Sequence, residues 1–199
     1  MPRMLFEYDP PERFVAGTVG EPGQRTFFLQ AVGDGRTTSV ALEKQQVAVL
    51  AERVDALLDE VVRRSAGSAP VPAVTPADAT DSAPLEAPIE EEFRVGTMAL
   101  AWDADDEVVV IEAQAVTEEI DDAADGDDAA DGDDETPLID TDAEDGPPLL
   151  RVRLPGPAAR AFVARALAVV AAGRPPCPFC GGPLDVGGHV CPRANGYRR

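Results

Sequence analysis

Residues 117–147 constrain the fold of this chain more than any other feature of its sequence. They contain 15 carboxylates and no basic residue, and they include the hexapeptide DDAADG twice in tandem, at 121–126 and 127–132. Carboxylates at this density repel one another and keep a chain extended. Calcium-binding loops place acids at alternate positions, whereas here the acids form adjacent pairs separated by Ala-Ala. We therefore predict a disordered, solvated acidic insertion over 117–147, and not a specific cation site.

A second segment, residues 67–91, is predicted to be an unstructured, Pro/Ala-rich linker. It is rich in Pro, Ala and Ser and has no apolar period, so it buries too little surface to offset its ordering entropy. Three parts remain that can fold. We assign them as a first half at 1–66, a second half at 92–173 that carries the acidic insertion, and a C-terminal tail at 174–199.

The first half is predicted to form three strands and a helix. Its β-branched and aromatic runs are separated by turn signals at 20–23 and 33–35. Apolar residues then recur at intervals of three and four, which is typical of an amphipathic helix over about 44–64. The predicted strands are 13–19, 25–32 and 37–42.

The second half is predicted to repeat this order of elements. Pro157 favours the first turn of a helix over about 157–172, and Gly173 is placed as its C-cap. The apolar stripe of this helix consists of Phe162, Val163, Ala166, Leu167 and Val170. The predicted strands are 93–102, 108–115 and 149–154, the last reached only after the acidic insertion.

These elements predict an α+β fold made of two βββα halves. Six or seven antiparallel strands would form a sheet packed by two helices. The matching first strands share the similar sequences VAGT at 15–18 and RVGT at 94–97, which favours a pseudo-symmetric duplication. The alternative is that βββα recurs by chance.

The three cysteines and the single histidine predict a metal site. Cys177, Cys180, His189 and Cys191 have the spacing C-x₂-C, eight residues, H-x-C. A C-x₂-C turn followed by Gly-Gly lets two thiolates bind one zinc ion, and Cys₃His is a closed tetrahedral set typical of structural zinc. We therefore expect one structural zinc per chain, in a small zinc ribbon or knuckle that is too short to fold without a metal.

Three other readings of the cysteines remain open. A redox C-x₂-C pair usually lies where a strand meets a helix, whereas this one follows a helix and Pro-Pro. A disulfide fits poorly with an odd number of cysteines and no export signal. Catalytic zinc would require one labile ligand.

The C-terminal part of the chain is basic although the formal net charge is −20. Residues 149–199 contain eight arginines and one acid, which gives +7. Arginines beside an aromatic residue at a zinc knuckle can contact phosphate and stack on a base. The alternative is that the aromatic residue packs on the domain and the arginines pair with carboxylates, or that the acidic insertion masks them. The candidate partner-contact or anion-contact residues are Arg193, Asn195, Tyr197, Arg198 and Arg199.

Neither a membrane span nor a signal peptide is expected. The longest apolar stretch, 161–173, is interrupted by Arg165 and is shorter than the roughly 20 residues that cross a bilayer. Residues 1–11 lack the apolar run of a signal peptide.

Both ends of the chain resemble a known family. FVAGTVGEPGQRTFFLQ at 14–30, CPFC at 177–180 and HVCPRANGYRR at 189–199 are similar to the DUF3090 group, an actinobacterial family of unknown function. The likeness also covers the folded parts between the two ends, but not the linker or the acidic hexapeptides. It implies a cytoplasmic protein with a zinc-ribbon-like end, and it transfers no catalytic residue.

The sequence favours a non-catalytic, zinc-stabilised binding or adaptor protein with a protein partner. It contains no GxSxG, no GxxxxGK[ST] and only one histidine. The first alternative is a nucleic-acid or ribonucleoprotein-associated factor that uses the basic C-terminal region. The second is an enzyme of unknown class, with Glu7, Asp9, Glu12 and Glu43 as candidate acids.

Overall fold

The structure is a computed structural model that describes residues 2–21, 23–76, 79–117 and 145–172, together with Cys177, Phe179, Cys180, Cys191 and Arg193. These residues form seven strands and two helices. In chain order the elements are β1 (Leu5–Tyr8), β2 (Arg13–Val19), β3 (Thr26–Gly33), β4 (Arg36–Leu42), α1 (Lys44–Arg64), β5 (Glu91–Asp103), β6 (Val108–Ala115), β7 (Leu149–Pro155) and α2 (Gly156–Ala171).

The strands form one sheet in the order β1-β7-β6-β5-β4-β3-β2. The predicted α+β class with two helices is confirmed, but the sheet is mixed and not purely antiparallel. β4 pairs with β5, and β1 with β7, in parallel. β4 and β5 run in parallel because α1, which lies between them in the chain, carries the chain back to the end of the sheet at which β4 begins.

The two halves have the predicted order of elements. Reading from β2, the sheet contains β2, β3 and β4 and then β5, β6 and β7 in chain order. Each set of three strands is followed by one helix, and the two helices pack against each other. Duplication of an ancestral βββα unit stays a prediction.

The hydrophobic core lies between the helices and one face of the sheet. On α1 the buried stripe is Val47, Leu50, Ala51, Val54 and Leu58. Phe162 of α2 stacks on Phe14 of β2, with ring centroids 4.8 Å apart. Leu167 was predicted to belong to the α2 stripe, but it is exposed.

The sheet curves strongly, so that distant strands meet. The hydroxyl of Tyr8 in β1 forms a 2.7 Å hydrogen bond with Thr38 Oγ1 in β4, although three strands separate β1 from β4 in the sheet. α2 follows β7 in the chain and yet packs on β2, at the opposite edge. The curvature therefore brings residues of β1, β4 and both helices into one core.

The segment predicted to be an unstructured linker is packed against the fold. We call residues 68–76 and 79–90 the strap. Its first part lies on α2, where Thr75 Oγ1 donates to the carbonyl of Arg160 at 3.2 Å and Arg160 Nε donates to the carbonyl of Pro72 at 3.1 Å. The expectation of an unstructured linker over 67–91 is therefore wrong for the strap, and β5 already begins at Glu91.

The second part of the strap crosses β2 to the face of the sheet opposite the helices. Asp81 accepts hydrogen bonds from Arg13 of β2 and Arg165 of α2. Further along, the backbone of Glu86 forms two hydrogen bonds with the side-chain amide of Gln30, at 3.0 and 2.8 Å. The strap is ordered because residues of β2, β3 and α2 supply these polar partners, and because its own Val71 packs into the hydrophobic core.

Residues 118–144 of the predicted acidic insertion lie outside the part of the chain that the structure describes. At its two ends β6 and β7 are already joined, since the N–H of Ala115 donates to the carbonyl of Pro148 at 2.9 Å. Pro2 forms an isolated bridge with Asp145. Among the helices that the structure describes, none is long and apolar enough to cross a membrane.

Candidate metal centre

The three cysteines come together at one point, as the sequence predicts. The Sγ atoms of Cys177, Cys180 and Cys191 all lie within 4.8 Å of one another. The distance between Cys177 Sγ and Cys191 Sγ is 3.8 Å. Cys177 and Cys191 are buried, with 4% and 7% exposure, whereas Cys180 is partly exposed. The predicted fourth ligand, His189, lies outside the described residues.

Backbone N–H groups stabilise the thiolate of Cys177. Phe179 N–H donates to Cys177 Sγ at 3.4 Å. Burial acts to raise the pKa of Cys177, but hydrogen bonds from the N–H groups of Cys180 and Phe179 and contacts with the other two thiols bring the pKa below that of an ordinary thiol. A thiol must lose its proton to bind a metal, so this environment favours ligation.

The donor set fits a soft or borderline metal ion. None of the three thiols takes part in a disulfide. Three sulfur atoms grouped so closely match the sulfur-rich coordination that proteins use for zinc, and they leave one position of a tetrahedron for a further ligand. The cluster can therefore bind a metal.

The turn between Cys177 and Cys180 carries an exposed aromatic ring. Phe179 is 63% exposed. Its carbonyl accepts a 3.2 Å hydrogen bond from Nη1 of Arg193, which comes from beyond the last cysteine. Arg193 is the one predicted contact residue that the structure describes. Asn195, Tyr197, Arg198 and Arg199 lie outside the described residues. Phe179 was not among the contact residues predicted from the sequence, although it lies inside the C-x₂-C turn.

The start of the tail is fixed to the sheet. α2 ends at Ala171, and the carbonyl of the next residue, Ala172, accepts a 2.5 Å hydrogen bond from Arg25 Nη1. Arg25 precedes β3, in the connection from β2. The contact therefore joins the end of the second half to the first half, directly before the tail.

Three of the four candidate acids of an enzyme, all but Glu12, lie in ion pairs within the described part of the chain. Glu7 is 3.5 Å from Arg151, Asp9 is 3.1 Å from Arg153, and Glu43 is 3.0 Å from Arg94. Arg153 also contacts the carboxylates of two further acids, Asp103 and Asp106, at 2.7 Å each. Surface pairing thus accounts for these three candidate acids.

Sequence reasoning missed one buried acid, Glu112 of β6. Its side chain is 3% exposed, and Oε1 accepts a 2.9 Å hydrogen bond from Nε of Arg151 in β7. Its other oxygen, Oε2, is buried with no hydrogen-bond partner in the part of the chain that the structure describes. In the run VVVIEAQA this glutamate is the only charged residue, and that is the one local signal that could have singled it out.

The fold and the cysteine cluster define an α+β protein with a C-terminal candidate metal centre. The family model described as "Protein of unknown function (DUF3090)" matches residues 6–191, so the chain belongs to this family. The match runs from β1 through both halves to Cys191. Comparisons with curated proteins and with solved structures each gave no significant match.

Proposed function

We propose that this chain is a non-catalytic binding protein whose zinc-stabilised C-terminal knuckle contacts a protein partner. By the knuckle we mean Cys177, Phe179, Cys180, Cys191 and Arg193. The observation that carries the proposal is the exposed ring of Phe179, held at the turn of the cysteine cluster. Aromatic side chains are enriched among the residues that anchor protein interfaces.

The metal of the proposal is one structural zinc per chain. The three thiols supply three ligands, and we assign His189 as the fourth. A closed Cys₃His set leaves no position for a reacting water molecule. Reduced cysteines are typical of the cytoplasm, where we place the protein.

Phe179 and Arg193 give the contact surface its chemistry. The ring offers an apolar anchor, and the neighbouring guanidinium remains exposed while one of its nitrogens holds the Phe179 carbonyl. Interface anchors are enriched in aromatic residues and arginine. The matching surface on a partner is an apolar pocket with a carboxylate at its rim.

Native mass spectrometry tests the metal. On protein purified without added metal, we expect one zinc per chain that a chelator removes. A chain that carries no zinc and has three freely titrating thiols would overturn the proposed centre and favour the redox reading.

Affinity capture tests the contact. Phe179→Ala removes the exposed ring, and Val49→Ala is the matched control because Val49 is a 43% exposed apolar residue on α1, outside the knuckle. We expect one partner to be captured by the wild type and by the control, and to be lost with Phe179→Ala or with chelator. Equal capture by all three proteins would contradict the proposal.

Nucleic acid is the second candidate partner. An aromatic ring beside a guanidinium fits a stacked base and its phosphate. Gel-shift titrations with single-stranded RNA, using a variant that lacks residues 118–144, test this reading. Binding that falls steeply with salt and is lost in Phe179→Ala would support it, and no binding at low salt would exclude it.

A further inference from the structure

The geometry that suits a metal also places the three thiols close enough to one another for two of them to be oxidised to a disulfide. Cys177 Sγ lies 3.8 Å from Cys191 Sγ. With all three Sγ atoms within 4.8 Å, side-chain rotation and small backbone shifts suffice to form a sulfur–sulfur bond of about 2.05 Å.

Access to solvent differs among the three thiols. Cys177 and Cys191 are buried, whereas Cys180 is partly exposed. Oxidation of a cysteine by a dissolved oxidant depends on thiolate character and exposure. An oxidant that arrives from solution therefore meets Cys180 first.

We propose that Cys180 is a hydroperoxide-oxidised thiol and that Cys177 resolves it to a disulfide, with release of the metal. This inference rests on the metal centre proposed above and is independent of the partner. It assigns a different role to each cysteine of the cluster.

The reaction has two steps. The Cys180 thiolate attacks the terminal oxygen of a hydroperoxide, the O–O bond breaks, and the alkoxide takes a proton and leaves as an alcohol, which gives a sulfenic acid on Cys180. The Cys177 thiolate then attacks Cys180 Sγ, and the S–O bond breaks with loss of hydroxide, which becomes water. Two thiols and one hydroperoxide thus give one disulfide, one alcohol and one water.

Cys177 is the resolving thiol because it lies in the same turn as Cys180. Two residues separate them, and the Phe179 N–H holds Cys177 Sγ inside this turn. Cys191 lies eleven residues further along the chain. The disulfide removes two of the three thiolates, and one thiolate with one imidazole does not retain a tetrahedral ion.

Peptide mapping of the zinc-loaded full chain tests the inference. The chain is treated with less than one equivalent of tert-butyl hydroperoxide and then alkylated, and zinc release is followed with a chromogenic chelator. We expect a Cys177–Cys180 disulfide, an alkylated Cys191, and one zinc released per disulfide. A disulfide that includes Cys191 as the main product, or oxidation with the zinc retained, would overturn the assignment.

Two variants that each remove one ligand separate the roles. With dimedone present, Cys177→Ser is expected to accumulate an adduct on Cys180, whereas Cys191→Ser is expected to form the disulfide and little adduct. Equal adduct in both variants contradicts the resolving role of Cys177. If the isolated wild type carries no zinc, the metal centre fails, but the disulfide map of the zinc-free chain still decides the roles of the thiols.

Discussion

At the scale of single residues, the Glu112–Arg151 ion pair contains a buried carboxylate that must be stabilised by an arginine. Ile111 and Ala113 belong to the core between the sheet and the helices, so Glu112 between them faces the other side of the sheet. Glu112 is almost fully buried, whereas Arg151 is partly exposed and also reaches Glu7. The buried carboxylate of Glu112 therefore depends on this ion pair more than the partly exposed guanidinium of Arg151 does.

Removing Arg151 is expected to destabilise the protein more than neutralising Glu112. Arg151→Met leaves a buried carboxylate with no described partner and is expected to lower the free energy of unfolding by about 3–5 kcal/mol. Glu112→Gln keeps an acceptor for Arg151 and is expected to cost about 1–2 kcal/mol. Urea denaturation measures both. The reverse order of the two variants would show that Glu112 does not rely on this pair.

Asp81 is a second residue whose ion pairs connect several elements of the fold. It contacts Arg13 at 2.6 Å and Arg165 at 2.8 Å, and so joins β2, the strap and α2. The side-chain hydrogen bond from Arg13 is the main cause that holds the pKa of Asp81 below its ordinary value of 3.8. A carboxyl group with a lowered pKa stabilises the fold above its unfolded pKa and loses that contribution as the pH falls through its folded pKa.

The contribution of Asp81 is expected to be present at neutral pH and to disappear in acid. Asp81→Asn should be less stable than the wild type above pH 3.8, and the difference should narrow as the pH falls below that value. Urea denaturation of both proteins between pH 2 and pH 7, at constant ionic strength, measures this difference. A difference that does not change with pH would show that the charge of Asp81 is not involved.

At the scale of elements, the strap depends on a missing side chain in β2. A Cβ atom placed on Gly17 would lie 2.6 Å from Cγ and Cδ2 of Leu85. The glycine therefore lets the strap lie directly on the strand. Gly96, at the corresponding place in the RVGT sequence of β5, likewise leaves room for the backbone of Val116, which would lie 2.8 Å from an added Cβ.

A double-mutant cycle tests this close approach. Gly17→Ala is expected to cost about 1–3 kcal/mol, because the methyl group overlaps Leu85. The same change in a Leu85→Ala background should cost much less, with a coupling energy of at least about 1 kcal/mol. Equal costs in the two backgrounds would show that the strap is not held against β2 at this position.

Most element boundaries could be predicted from local sequence. The predicted strands 13–19 and 108–115 coincide with β2 and β6, because alternation and turn residues are local signals. β1 is only four residues long, and four residues carry too short an alternation to define a strand. The exposure of Leu167 on α2 could not be predicted either, because it depends on how the helices cross.

At the scale of the whole molecule, the acidic insertion divides β6 from β7 without preventing their pairing. Seven residue pairs join the two strands, from Val108 with Pro155 to Gln114 with Leu149. The entropy needed to close a loop grows only logarithmically with its length. A long insertion is therefore tolerated between two strands that already pair over their full length.

Replacing residues 118–144 with about four Gly/Ser residues is expected to preserve the fold and stabilise it slightly. The shorter loop raises the free energy of unfolding by about 1 kcal/mol. Fourteen carboxylates are lost and the formal net charge becomes −6 instead of −20, so stability should depend less on salt. Denaturation at low and high ionic strength measures both effects.

The control for this deletion keeps the length of the insertion and changes its acids to Asn and Gln. It should reproduce the weaker salt dependence, but at high ionic strength, where charges are screened, its stability should equal that of the wild type because the loop length is unchanged. A large loss of stability in the deletion variant would mean that the removed segment packs on the fold.

The sequence by itself determined the properties that depend on neighbours along the chain. Alternation and helical periodicity determined most strands and both helices, and the cysteine spacing determined that a metal centre could form at the C-terminal end. These signals are local because backbone geometry repeats every two residues in a strand and every 3.6 in a helix.

Only the tertiary structure decided the properties that depend on residues far apart in the chain. These are the parallel pairing of β4 with β5, the docking of the strap, the burial of Glu112 and the pairing of three candidate acids with arginines. The strap shows the physical reason most clearly. Its local sequence shows no apolar period that predicts order, and the polar partners that hold it, Arg13, Gln30 and Arg165, lie far away in the chain in β2, β3 and α2.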